Sequence, residues 1–246
     1  MKILAVIPAR GGSKGIPRKN IIPVCGKPLM AWTIEASLAS KYITKTLVSS
    51  DDDEILEIAD KFGAESIKRP NALATDEAGS EALITHALET EKLKGNDYEY
   101  VMLLQPTSPL RGTKEIDEAV KLLLASDAKA LISVSTPEHT PYKAFRLNAN
   151  GKLEGLIDNK TPFMRRQDLP QTFMPNGAIY MIDADLFLQS GSLFCEERTI
   201  AYEMSREKSV DVDTMEDVVF IERIIREEIK NSFVEEFDGV AVVIEH

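Results

Sequence analysis

Short β-rich apolar runs alternate with segments of helical spacing over the first 135 residues, and this rhythm leaves few architectures open. Ile3 to Ile7, Thr46 to Ser49, Ser66 to Lys68, Tyr100 to Leu104 and Leu131 to Ser135 read as strands. Between them Pro28 to Ala39 reads as a helix, with Pro28 suited to its first turn. Asp52 to Phe62 places Ile55, Ile58, Ala59 and Phe62 on one helical face. Ser80 to Leu93 and a stripe of Ile116, Val120, Leu123 and Leu124 complete the series. Such alternation predicts an α/β fold with a mostly parallel sheet covered on both faces. Ligands of open sheets sit beyond the carboxyl ends of the strands, so chemistry is expected in loops 9–20, 69–80 and 105–112.

Around Thr136 the rhythm changes. Residues 137–176 hold Pro137, Pro141, Pro162, Pro170 and Pro175, and a hairpin, FRLNANGKLEGLI, turning at Asn148 to Gly151. This reads as an excursion from a core made of 1–136 and 177–230. Strand 178–182 returns to the sheet. Thr214 to Lys230 closes the core as a helix with Val218, Ile221 and Ile225 on one face, and Thr214 with Asp217 forms a capping box. Residues 231–246 are expected as a tail, a strand or a disordered end.

The first loop carries the strongest chemical signal. ILAVIPARGGSKGIPRKN runs from a buried strand into Gly11, Gly12 and Gly15 with Arg10, Lys14, Arg18 and Lys19, and no acid occurs before Glu35. Glycines let the backbone approach an anion and aim N–H groups at it, while the cations supply charge. Neither GxxxxGK[ST] nor GxGxxG is present, so the reading is a polyphosphate cradle of another kind; the plain alternative is a solvated basic turn. The formal net charge of the whole chain is −11, which argues against nucleic acid or membrane as partners and for a small phosphate-bearing ligand.

QPTSPLR at 105–111 offers Gln105 and Arg111 for reading a polar ligand, or else is a proline-stiffened connection. In SVDVDT, a strand end would point Asp211 and Asp213 the same way, a Mg²⁺ site beside phosphates; the alternative is helix capping. Asp51 to Asp53 reads as capping, Trp32 as core, and one of Arg165 and Arg166 as surface. Cys25 and Cys195 lack CxxC spacing and read as buried free thiols. No stretch approaches the roughly 20 apolar residues of a membrane span, and the apolar N-terminal run breaks at Pro8, so a cytoplasmic protein is expected.

Together, IPARGGSKGIPRKN, GKPL, the RP at 69–70, TDEAGS, LLQPTSPLR, PNGAIY and DVDTMED resemble, in order over residues 2 to about 230, the acylneuraminate cytidylyltransferase (CMP-sialic acid synthetase) family. The resemblance implies a three-layer Rossmann-like fold of the nucleotide-diphospho-sugar transferase type. It implies transfer of CMP from CTP to the anomeric hydroxyl of a nine-carbon 2-keto sugar acid, with Mg²⁺, releasing pyrophosphate. Arg10, Gly11, Gly12, Lys14, Lys19, Asn20, Arg69 and Ser80 would hold the nucleotide, and Asp211 and Asp213 the metal. Arg10, Lys19 and Asp211 would act in catalysis, Asp211 as base. Gln105, Tyr180 and Phe194 would meet the sugar. The 137–176 excursion would be a dimerisation arm bringing Lys143 and Arg166 to the sugar carboxylate in the partner's site of a homodimer.

The chain departs from the sialic acid members at Met174, where they carry Arg, and at Leu193–Phe194, where they carry two aromatics. A legionaminic-type sugar is therefore as open as N-acetylneuraminic acid. GTP as donor, or pseudaminic acid, an eight-carbon ulosonic acid or a sugar 1-phosphate as acceptor, are the alternatives on the same fold.

Overall fold

The computed structural model describes residues 1–13, 15–74 and 79–236, with side chains to Asn231. The first strand, β1 (Ile3–Pro8), shows how the layers arise. Its alternate side chains point to opposite faces, so Ile3, Ala5 and Ile7 enter one core while Leu4 and Val6 enter another. A strand buried on both faces must sit inside a sheet with helices above and below.

Chain order supplies those helices. After β1 come the two-residue strands β2 (Pro23–Val24) and β3 (Lys27–Pro28), then α1 (Leu29–Leu38), β4 (Lys45–Ser50), α2 (Asp53–Lys61) and β5 (Glu65–Lys68). Next are α3 (Ser80–Leu93), β6 (Tyr100–Leu103), α4 (Thr113–Leu124) and β7 (Ala130–Ser135). The hairpin β8 (Phe145–Leu147) and β9 (Leu153–Gly155) follows, then β10 (Met174–Asp183), α5 (Ala184–Ser190), β11 (Thr199–Glu203) and α6 (Met215–Glu236). The seven-stranded sheet runs β11-β7-β10-β6-β1-β4-β5 and is parallel except at β10, which is antiparallel to both neighbours.

Helices α1, α2 and α4 cover one face through Met30, Ile34, Ile55, Ala59, Ile116 and Val120; α3 and α5 cover the other through Leu83, Ile84, Ala87 and Phe187. A third core lies under α6. Val218, Ile221 and Ile225 bury Ile16 of the first loop and Val212 of the acidic segment together. One helix thus fastens two distant segments side by side.

The expected α/β architecture and the hairpin turning at 148–151 are present, and the structure corrects several details. The strand expected at 178–182 begins at Met174 and inserts between β6 and β7. Helix α5 and edge strand β11 have no counterpart in the sequence expectation. Leu124 is exposed, and Ala119 takes its place on the buried stripe of α4. Helix α6 continues to Glu236, into the expected tail; residues 237–246 lie outside the described residues. Both cysteines are free but only half-buried. Trp32 is partly buried against the α6 core and donates its indole N–H to the Val24 carbonyl at 3.1 Å.

The carboxylate of Glu91 is fully buried. Glu91 accepts from Lys45 at 2.8 Å, Lys94 at 2.8 Å, Asn96 at 2.9 Å and the Tyr98 hydroxyl at 3.1 Å. Burial alone would push its carboxyl up, but these donors outweigh it and draw it from 4.5 down to about 2. A depressed carboxylate contributes stability above its unfolded pKa that is lost as pH falls through the folded one. Glu91→Gln is expected to cost about 3 kcal/mol at pH 7. The gap to wild type should narrow as pH drops from 4.5 toward 2. Urea denaturation at pH 7 and pH 3 checks this; an equal gap at both would remove the ionised cluster as the cause.

Candidate active site

The loop after β1 is held down before any ligand arrives. Ala9 N–H still pairs with the Ser49 carbonyl at 3.0 Å, and Gly11 N–H donates to Asp51 Oδ1 at 3.0 Å. A Cβ on Gly11 would stand 2.8 Å from Asp52 Oδ2 and 2.9 Å from Asp52 Cβ, so only glycine can lie this close to the β4–α2 turn. Asp52 caps α2 through the Ile55 N–H at 3.1 Å, as capping predicts, and receives both Arg18 terminal nitrogens at 2.9 and 3.1 Å. That Arg18 hydrogen bond is the main influence holding the Asp52 carboxyl below its usual range. Arg18, which also binds Glu54 at 2.7 Å, is a clamp on the α2 start and not a cation of the cavity.

The remaining cradle residues converge. Asn20 is buried and donates to the Arg10 carbonyl at 2.9 Å, fixing the backbone beneath that side chain. Lys19 Nζ spans to the other half of the site, donating to the Val212 carbonyl at 2.7 Å and to Asp213 Oδ1 at 3.1 Å. Arg69 is buried against β4, with Nη2 on the Ser49 carbonyl at 2.6 Å and Nε on Ser49 Oγ at 3.2 Å. Burial lowers its pKa, with Arg10 pushing the same way and Asp51 opposing.

Arg10, Lys19, Asn20, Arg69 and Ser80 line one cavity of about 450 Å³ with Gln105, Asp211 and Asp213. Ser80 opens α3, whose first-turn N–H groups favour anions. Gly11 and Gly12 shape the loop without lining the cavity. Lys14 and residues 75–78 of TDEAGS lie outside the described residues.

Asp211 and Asp213 do not sit in a strand, yet both reach the cavity. Val212 N–H donates to the Thr107 carbonyl at 2.9 Å, and this bond with the α6 core sets the segment. One Asp211 carboxylate oxygen is buried with no hydrogen-bond partner among the described residues. Burial pushes this carboxyl above its usual range; Thr107 opposes, and Asp213 adds to the rise. Asp217 closes the expected capping box with Thr214, accepting its N–H at 2.7 Å.

An orphaned carboxylate oxygen beside a second carboxylate is a donor set that fits a hard divalent cation. Among the described residues no group of three or more His, Cys, Asp or Glu could hold a metal. The protein would thus supply these carboxylates, and phosphate and water the other ligands.

Gln105 and Asp211 are shared with a second cavity of about 670 Å³, which Tyr180, Met174, Asn176, Gly177 and Arg206 also line. Burial, then the charges of Asp211 and Glu81, raise the Tyr180 pKa. Arg206 binds Glu138 at 2.7 Å. Glu138 and His139 separate this space from a third cavity of about 480 Å³, where Lys143 and Arg166 come together. Lys143 and Arg166 therefore line one cavity, and Gln105 and Tyr180 another. Phe194 is 58% exposed on the loop after α5 and lines none of the three cavities.

Arg111 requires correction. It is fully buried, with Nη2 donating to Thr33 Oγ1 at 2.9 Å and the Gln105 carbonyl at 3.3 Å. Burial pushes the guanidinium down to about 10. It braces the loop from below and reads no ligand. Sequence reasoning passed over Thr107, Asn176 and Arg206, and read Asp51 as capping where it instead accepts from the Gly11 N–H. The PTSP loop and the PNG turn carried a signal for Thr107 and Asn176; nothing local marked Arg206.

The profile of a family described as cytidylyltransferase matches residues 4–237. A pseudaminic acid cytidylyltransferase of Campylobacter jejuni (strain 81-176) is 36% identical over 89% of this chain and 94% of its own. An N-acylneuraminate cytidylyltransferase of Escherichia coli O18:K1:H7 is 37% identical over 86% of this chain, but the match spans only 49% of that protein. A CMP-N,N'-diacetyllegionaminic acid synthase of Legionella pneumophila is 32% identical over 92% of this chain and 97% of its own. A CMP:2-keto-3-deoxy-manno-octonic acid synthetase solved with CTP shares the fold at a TM-score of 0.70 and 16% identity, covering 93% of this chain and all of that one. Among the described residues no helix is long and apolar enough to cross a membrane.

Proposed function

The chain belongs to the cytidylyltransferase family, and from that premise we propose that it transfers CMP from CTP to the anomeric hydroxyl of a nine-carbon 2-keto sugar acid. The observation that carries the reading is a basic cavity and a second cavity meeting at Asp211 and Gln105. Phosphoryl transfer needs positioning and charge neutralisation more than covalent help. Arg10 and Lys19 neutralise the triphosphate, while Asn20, Arg69 and Ser80 hold the nucleotide. Gln105 and Tyr180 hold the sugar acid with its hydroxyl toward the α-phosphate.

The hydroxyl oxygen bonds to the α-phosphorus as the bond to the bridging β-phosphate oxygen breaks, and pyrophosphate leaves with that electron pair. Asp211 takes the proton released by the hydroxyl. Asp211 and Asp213 would hold Mg²⁺, which would supply charge neutralisation at the phosphates and acidify the hydroxyl.

The arm supports a homodimer. Leu147, Leu153 and Phe163 leave apolar surface on it, and Phe163, 81% exposed, stacks edge-on with Phe145 at 6.0 Å. In this reading Lys143 and Arg166 meet the sugar carboxylate bound to the partner. Sialic, legionaminic and pseudaminic acids all remain candidate acceptors. The match along nearly the full length of the Campylobacter relative puts pseudaminic acid beside the other two.

The test is pyrophosphate release with Mg²⁺, crossing CTP and GTP against these nonulosonic acids. Release with CTP and at least one acid is expected, and none with any pair would sink the reading. Arg166→Ala should raise the sugar-acid KM far more than the CTP KM. A rise confined to CTP would end the proposed carboxylate role.

A further inference from the structure

We propose that Asn176 is a positioning residue that sets the geometry of the second cavity from both sides. The inference rests on reading that cavity as the sugar-acid side. Antiparallel pairing of β10 with β7 breaks here: Pro175 faces Val134, yet Tyr180 faces Ile132, so five steps along β10 cover two along β7. A bulge of this size frees backbone groups and re-aims side chains. Asn176 fills it.

Its Oδ1 accepts from the Ser133 hydroxyl at 2.6 Å and the Ala178 N–H at 3.2 Å. Ser133 Oγ accepts the Ile179 N–H at 2.7 Å. On the other side, Nδ2 donates to Ser209 Oγ at 2.9 Å and lies 3.3 Å from Met204 Sδ. The Ser209 hydroxyl in turn donates to the Ser205 carbonyl at 2.7 Å. The Ala178 N–H can only donate, so it fixes which end of the amide is oxygen. The donor–acceptor direction is then consistent along the chain Ile179, Ser133, Asn176, Ser209, Ser205.

Both Oδ1 lone pairs and both Nδ2 protons are engaged, so the Asn176 amide has nothing left for a ligand although it lines the cavity. What it positions is visible on each side. The bulge puts Gly177 at φ +77°, where a Cβ would stand 2.8 Å from Gln105 Oε1, so Gln105 rests on that bare backbone. Ser209 lies two residues before Asp211. One amide thereby ties the wall carrying Gln105 and Tyr180 to the segment carrying the carboxylates.

The experiment compares Asn176→Ala, Asn176→Asp and Ser209→Ala in steady-state assays of the full chain, with CTP and each acid that wild type accepts. Asn176→Ala should raise the sugar-acid KM about tenfold or more, since an ångström of misplacement is that costly. The CTP KM should stay within about twofold. Asn176→Asp keeps the shape and the Ser133 side but loses the donor to Ser209, so its rise should be smaller. A merely structural residue would lower the melting temperature and the active fraction, cutting kcat with both KM values unchanged; that result overturns the proposal. The rise in Asn176→Ala combined with Ser209→Ala should fall short of the product of the singles, and a full product would break the proposed chain. Wild type without turnover would instead defeat the function reading. The Gln105 side-chain amide resonance in ¹⁵N-labelled protein then decides the inference: it should shift in Asn176→Ala, and an unmoved resonance overturns it.

Discussion

Asp211→Asn is expected to cut turnover on the order of a thousandfold while raising the melting temperature of the ligand-free protein at neutral pH. The two effects have one cause. Asp211 is half-buried with one oxygen buried and unpartnered among the described residues, and its carboxyl is biased toward the protonated form. A folded-state pKa above the unfolded value means stability is fully present below about 3.8 and declines as pH rises through the folded pKa. At neutral pH, above the usual carboxylate range, the protein therefore carries a cost of this charge that the isosteric amide relieves. The gain should be about 1–3 kcal/mol, or a few degrees for a domain of this size. It should fade in acid, where wild type is protonated too. Mg²⁺ with CTP should raise the melting temperature of wild type far more than that of the variant. A variant that melts lower at pH 7 would show the charge to be well satisfied, and the metal reading would lose its main support.

Lys19→Met should produce opposite changes in two affinities. Lys19 lines the first cavity and shares its ammonium between the Val212 carbonyl and Asp213. Without it CTP loses a charge partner, so kcat/KM should fall by about a thousandfold, near 4 kcal/mol. Asp213, which is largely exposed, also loses its internal cation. Binding of Mg²⁺ alone should consequently tighten, because metal no longer competes with the ammonium. Calorimetric titrations of CTP and of Mg²⁺ separately would read both signs. Unchanged CTP affinity would place Lys19 in scaffolding, fastening the first loop to Val212, rather than in binding.

The first loop and the acidic segment were legible in sequence because their signals are local. Three glycines among cations after a buried strand constrain backbone and charge within a dozen residues, and DVDT carries its carboxylates together. What sequence concealed is non-local or directional. An apolar run such as 178–182 announces a strand but not its neighbours, so the antiparallel insertion of β10 could not be read from it. Strand β11 pairs with β7 alone and is half-exposed, without the apolar run that marks an inner strand. Arg111 shows the directional limit: the sequence offers a cation in a ligand-facing loop, and the fold turns it under that loop toward Thr33. Lys143 and Arg166 drew notice only through the family resemblance, which expected them to act across a dimer, and in this chain they line a cavity apart from Gln105.

The place of β10 also governs the order in which the chain can become itself during synthesis. β6 and β7 are close in sequence but are not neighbours in the sheet; β10 separates them. As the ribosome emits residues at roughly 5–20 per second, β1, β4, β5 and β6 can pair as they emerge, but β7 must wait through the whole arm for residues 174–183. During that interval β6 presents an open inner edge and β7 has none of its final partners, the state in which strands recruit other chains. A nascent chain halted before Met174 thus leaves the inner edge of β6 and all of β7 unpaired, and Asp211, later in the chain than every strand, joins the site only after β10 and β11 have emerged.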